Sequence, residues 1–115
     1  MELYSWENVK KEVLSEKIAR KVITAERITM AQIFLAKDGV VPLHHHENEQ
    51  ISSVLEGTLK FELEGKEVVA RKGEVLHIPS NVPHRVVALE DSLALDVFSP
   101  IRTDWLTGDD AYLRK

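Results

Sequence analysis

The chain has no cysteine. That excludes disulfides, thiolate ligands and a thiol nucleophile, and leaves imidazole and oxygen as its strong metal ligands. Aromatic residues make up only 6% of the chain. No apolar run approaches the ~18 residues that cross a bilayer, so no transmembrane helix is expected. Basic residues are in deficit, 15 against 19 acidic, for a net charge of −4. No basic cluster appears either, so neither nucleic acid nor a membrane is an expected partner. The first residues, Met1-Glu2-Leu3-Tyr4-Ser5-Trp6, lack a signal peptide's apolar stretch. The cytoplasm is therefore the expected address.

What is present is a globular composition, 43% hydrophobic and 30% charged over 115 residues. That length suits one domain, 1–115, with a core able to fold without staples. Helix is expected only near the start, where Ser5 can cap a short segment with Trp6, Val9 and Val13 on one face; the β-branched valines oppose it. From Lys17 onward the chain reads as strand. Thr58-Leu59-Lys60-Phe61-Glu62-Leu63 alternates cleanly, and Glu64-Gly65 closes a hairpin into the next segment. Turns recur roughly every 8–12 residues between short strands, the pattern of an all-β sandwich or small barrel. The strand Leu93–Phe98 is apolar on both faces except for Asp96, so both faces are expected to be covered. In so short a chain the outer cover is expected to be a second subunit, giving a homodimer. The tail carries Trp105, Tyr112 and Leu113 and is expected to dock rather than fray.

Three of the five histidines fall in His44-His45-His46-Glu47-Asn48-Glu49-Gln50. His44 and His46 share parity, so on a strand both leave one face, and Gln50 has the same parity. His84 lies downstream in Pro79-Ser80-Asn81-Val82-Pro83-His84. Two imidazoles, an oxygen donor and a remote imidazole suit one divalent first-row metal; Ni, Zn, Mn and Fe all fit. His45 has opposite parity and is expected to point away. Glu49 competes with Gln50 as oxygen donor but lacks the matching parity. His77 reads as an ordinary, partly buried strand histidine. The plain alternative for the cluster is a solvated loop.

These residues resemble the two cupin motifs. Gly39, His44, His46, Gln50 and Gly57 are similar to the first, and Gly73, Pro79, Asn81 and His84 to the second. The resemblance implies a cupin double-stranded β-helix, or jelly roll, with a barrel at about 20–100, a short N-terminal extension and a docked C-terminal tail. It implies His44, His46, Gln50 and His84 as ligands of one metal inside the barrel. Three departures stand out. The spacing from Gly39 to His44 is one residue short, Asn81 replaces a glycine, and Gln50 replaces the usual Glu. A neutral Gln leaves the divalent ion its full charge, which favours Lewis-acid over Fe(III) chemistry.

Asp96 is the one charge in its strand. A buried unpaired carboxylate is costly, so it is expected to face a metal, a proton partner or water. The alternative is an outward Asp paired with an Arg at a subunit interface. Arg102 suits bidentate carboxylate capture at a barrel mouth, or is a plain surface charge. Asp96-Val97-Phe98-Ser99-Pro100-Ile101-Arg102-Thr103-Asp104-Trp105-Leu106 resembles the C-terminal signature of the KdgF-type small cupins of pectin and alginate degradation, over about residues 30–114. That resemblance implies metal-dependent ring opening and ketonisation of 4,5-unsaturated monouronates to linear 4-deoxy-5-ketouronates. It implies Asp96 as the proton-transfer residue, with Phe98 and Arg102 lining the substrate pocket. An iron dioxygenase-type cupin and a non-catalytic sugar-binding or regulatory cupin are the competing readings.

Overall fold

The computed structural model describes residues 1–114. Its strands are β1 (Glu12–Val13), β2 (Ile18–Thr24), β3 (Thr29–Leu35), β4 (Val40–His44), β5 (Glu49–Glu56), β6 (Thr58–Leu63), β7 (Lys66–Arg71), β8 (Val75–Ile78), β9 (His84–Ala88) and β10 (Ser92–Ser99). They form a six-stranded sheet, β1-β2-β3-β10-β5-β8, and a four-stranded sheet, β4-β9-β6-β7. Every pairing is antiparallel. The expected all-β jelly roll is therefore present.

Alternation decides which side chains enter the core. Leu59 and Phe61 of β6 and Val86 and Ala88 of β9 face Leu35, Val54, Ile78 and Ala94 from the large sheet, all buried. Leu14, Ile18 and Leu113 complete that cluster. Burying such side chains stabilises by about 1.5–3 kcal/mol each. The β6–β7 hairpin turns on Glu64 (φ 52°) and Gly65 (φ 72°), both left-handed as a two-residue primed turn requires. Asn81 also sits in the left-handed region, at φ 63°, so asparagine fills the place of a glycine there.

The N-terminal helix expected from Ser5 does not form. Trp6–Asn8 make a single 3-10 turn and Ser5 gives no side-chain cap. Val13 instead enters β1, which pairs with β2 at the edge of the large sheet. β-branched residues prefer that geometry. The C-terminal tail docks, as its aromatic residues required: α1 (Thr103–Thr107) and a 3-10 turn (Ala111–Leu113) bring Trp105, Tyr112 and Leu113 against the core. No helix among the described residues is long and apolar enough to cross a membrane.

Candidate metal centre

His44 ends β4 and His84 begins β9, and the two are register partners. Directly opposed residues on an antiparallel pair project from one face. His46 arrives by another route. It lies in the loop that carries the chain from the small sheet to the large one, and Gln50 sits beyond it on β5. A shared strand face therefore does not group these residues, contrary to the expectation from parity; the crossing between sheets does. The grouping itself stands. Ligand nitrogens of His44, His46 and His84 lie within 4.8 Å of one another, and Gln50 Oε1 is 3.1 Å from His46 Nε2.

Backbone carbonyls orient all three rings. His44 Nδ1 donates to Pro42 O at 2.8 Å, His46 Nδ1 to Asn48 O at 3.0 Å and His84 Nδ1 to Val82 O at 2.8 Å. A carbonyl only accepts, so the proton is on Nδ1 and each Nε2 keeps its lone pair. Burial pushes the His44 pKa down to about 3 and His46 to about 4, and lowers that of His84. All three rings are therefore neutral near pH 7, the ligating form. The Gln50 amide nitrogen donates to Ser52 Oγ at 2.9 Å and Asp96 Oδ2 at 3.3 Å, which turns Oε1 toward His46. Two lone pairs then meet across 3.1 Å, an arrangement that a cation relieves. Three imidazoles and an amide oxygen fit a divalent transition metal.

Asp96 faces inward from β10, in register with Ala31 and Ser52. Its Oδ2 accepts from Gln50, while its Oδ1 is buried without a partner. Burial raises its pKa to about 6, against the opposing influence of the nearby Ser52 hydroxyl and the Arg102 charge. Phe98, two residues on, is buried with its ring 5.8 Å from that of His46. Arg102 is buried, not a surface charge. Its Nε and Nη2 donate to Asp104 Oδ1 at 2.9 Å and Oδ2 at 2.8 Å, and Nη2 also donates to the Tyr112 hydroxyl. The edge suited to bidentate capture is thus already filled by Asp104, which the residue's position in the chain did not reveal.

The cavity beneath the centre is ≈ 50 Å³ and is lined by His44, Gln50, His84, Asp96, Phe98 and Arg102. It is also lined by Arg20, Trp105 and Tyr112, to which no motif in the sequence gives a site role. Arg20 carried a signal: it shares parity with Ile18 and Val22 in β2, a charge at an inward position, like Asp96. Tyr112 stacks on His44, ring centroids 4.6 Å apart. Nothing in local spacing pairs those two residues. Buried Asn48 donates to Pro100 O at 2.6 Å and Ile101 O at 3.1 Å, tying the histidine loop to the segment that leads to Arg102. His45 is exposed. Glu49 accepts from His77 Nε2 at 2.7 Å. His77 itself is 53% exposed rather than partly buried.

Two antiparallel sheets around a cluster of histidines on the first and second motifs define the cupin class. The cupin domain model matches residues 32–99, and the chain belongs to that family. Among solved structures it is similar to KdgF from Halomonas sp., 29% identical over 90% of this chain and 99% of that one, with a TM-score of 0.84. It is also similar to an RmlC-like cupin from Shewanella frigidimarina, 25% identical over 91% and 96%, TM-score 0.84. A predicted oxalate decarboxylase from Thermotoga maritima, 19% identical over 87% and 100% with a TM-score of 0.76, shares the fold. No curated protein matches the chain in sequence.

Proposed function

We propose that this cupin opens and ketonises 4,5-unsaturated monouronates, yielding linear 4-deoxy-5-ketouronates. One observation carries the reading. Gln50 touches both halves of a single cavity: its oxygen faces the histidine centre, and its nitrogen holds a carboxyl of raised pKa whose other oxygen is free. The similarity to KdgF supports the substrate class.

The substrate is a cyclic hemiacetal with an enol-ether ring oxygen. Asp96 Oδ1 takes the proton of the anomeric hydroxyl. The aldehyde C=O forms at carbon 1, the bond from carbon 1 to the ring oxygen breaks, and its electron pair goes to that oxygen. Asp96 then returns the proton to carbon 4, and the ketone forms at carbon 5. The step is an isomerisation: one proton leaves and one arrives, and no oxidant is used. A group titrating near 6 suits both transfers. Gln50 holds Asp96 through Oδ2, so Oδ1 is the oxygen left for substrate. Phe98 supplies an apolar wall of the cavity, and Arg102, held by Asp104 and Tyr112, adds positive potential to it. A divalent metal on His44, His46, Gln50 and His84 supplies a Lewis acid that stabilises negative charge on oxygen.

The proposal includes a homodimer. Leu93, Leu95 and Val97 lie on the outer face of the large sheet beside Ile51 and Leu55 of β5, 46% and 37% exposed. A second copy covering that apolar face by two-fold symmetry suits it.

The function is tested by mixing the metal-loaded protein with lyase-generated unsaturated galacturonate and following loss of the double-bond absorbance. Acceleration over the spontaneous rate is expected. Asp96→Asn should lower it by about 10²–10⁴-fold while metal content stays unchanged. Metal and sugar-acid binding without turnover would favour the sugar-binding reading instead, and oxygen uptake only with Fe(II) the dioxygenase.

A further inference from the structure

Among the described residues, four buried side-chain atoms have no hydrogen-bond partner: Arg20 Nε, Arg20 Nη1, Trp105 Nε1 and Asp96 Oδ1. All three residues line the same cavity. Asp96 is absorbed by the proton transfer above. The other three atoms are N–H donors, and they lie together, with the Arg20 guanidinium carbon 4.3 Å from the centre of the Trp105 ring.

A structural role accounts for only part of Arg20. Its side chain is 1% exposed, and Nη2 donates to Asp110 Oδ2 at 2.6 Å, with Glu12 Oε2 at 3.5 Å. That ion pair anchors the tail and needs one nitrogen. Nε and Nη1 are left over. A buried donor without an acceptor costs about 1–3 kcal/mol, more when charged, unless water or a ligand occupies it. Three such donors with no protein acceptor call for a partner rich in lone pairs and negatively charged. Arg102 leaves this place open because its own bidentate edge is closed by Asp104.

Size limits what enters. At ≈ 50 Å³ the cavity has room for about four water positions of ~10–15 Å³ each. That is the scale of a carboxylate and not of a sugar ring. A wider recess of ≈ 560 Å³ lies outside it, lined by His45, Glu47, Thr103 and Asp109, and His44 and Tyr112 border both spaces. A ring can sit across the opening between the two spaces, at His44 and Tyr112, with its acid end and the reacting carbons beside it turned inward toward Asp96.

We infer that Arg20 and Trp105 are the carboxylate-binding wall of the cavity, holding the acid group of a sugar acid through Trp105 Nε1 and one free N–H of Arg20, the other Arg20 N–H being left for a hydroxyl of the same ligand or for water. This rests on the uronate reading for its substrate but makes a claim about binding alone. Two conservative variants test it. Trp105→Phe removes one N–H and keeps the ring; Arg20→Lys keeps the charge opposite Asp110 and removes the extra donors. The probes are galacturonate, a saturated acid with no double bond to ketonise, and its neutral counterpart galactose, titrated calorimetrically into the metal-loaded protein.

Each variant is expected to weaken galacturonate about tenfold or more, as loss of a hydrogen bond to a charged group does. Galactose binding should not change. With unsaturated galacturonate, KM should rise and kcat should stay within about threefold. Unchanged galacturonate affinity in both folded variants overturns the inference, as does equal weakening of acid and neutral sugar. If Arg20→Lys unfolds, Trp105→Phe decides alone. A wild-type protein that binds galacturonate through these residues without turning over the unsaturated sugar leaves the wall standing and sinks the ketonisation. Turnover unaffected by either variant does the reverse.

Discussion

Gln50 serves two neighbours with two chemistries. Its oxygen faces His46 and its nitrogen donates to Ser52 and Asp96. Gln50→Glu keeps an oxygen for the metal but sets a second carboxylate about where the amide now donates, 3.3 Å from Asp96 Oδ2. Two carboxyls that close cannot both ionise at their ordinary pKa values. We expect Gln50→Glu to retain metal and to lose roughly tenfold or more in turnover. His84→Ala removes one of the three imidazoles grouped to hold a metal. It should lose metal by more than the 10–100-fold typical of outer-shell changes, as read by elemental analysis after dialysis. The residue types at this centre were legible in the chain; the proton on each Nδ1 and the orientation of the Gln50 amide were not. Those depend on carbonyls of Pro42, Asn48 and Val82, whose direction is a property of the folded backbone.

At the scale of elements, the tail is held by charge. Arg102 pairs with Asp104, and Arg20 and Arg114 pair with Asp110. Burial raises the pKa of both carboxyls, but hydrogen bonds and charges of these arginines outweigh it and lower each one below the ordinary carboxylate range. A depressed folded pKa means stabilisation that is fully present above the unfolded value, ~3.9, and is lost as pH falls through the folded one. The tail should therefore undock below about pH 4. Trp105 fluorescence in a Trp6→Phe background, where Trp105 is the only tryptophan left, should report that transition. A signal flat down to the unfolding of the barrel would contradict it. Strands, hairpin turn and tail docking followed from alternation, Glu64-Gly65 and the aromatic spacing. The N-terminal segment did not. Its periodicity allowed a helix, and pairing of Val13 with Ala19 at a sheet edge decided otherwise.

For the whole molecule, stability resides in the layer between the sheets. Leu59, 1% exposed, packs there from β6. Leu59→Ala should destabilise by about 2–5 kcal/mol in chemical denaturation, because a close-packed layer collapses only partly around the void. A metal held by the histidine centre would add to this by mass action. At a hundredfold over its Kd a ligand that binds only the folded state contributes about 2.7 kcal/mol, so chelation should lower Tm. The homodimer is tested at the same scale. Leu95→Lys places a charge on the outer face of β10 without touching the cavity, and light scattering should then report a monomer where the parent is a dimer. A parent that is monomeric removes that part of the proposal.

The sequence by itself determined the fold class, the strand alternation, the exclusion of sulfur chemistry and the donor types of the centre. These depend on composition and on spacings of a few residues, which a strand or turn preserves wherever it lies. Tertiary structure decided which atoms are free. Arg102 and Asp104 close one arginine's edge, while Asp110, 90 residues from Arg20, engages only one nitrogen of the other. Which donor is left without a partner is set by contacts between distant segments, and no local pattern encodes it.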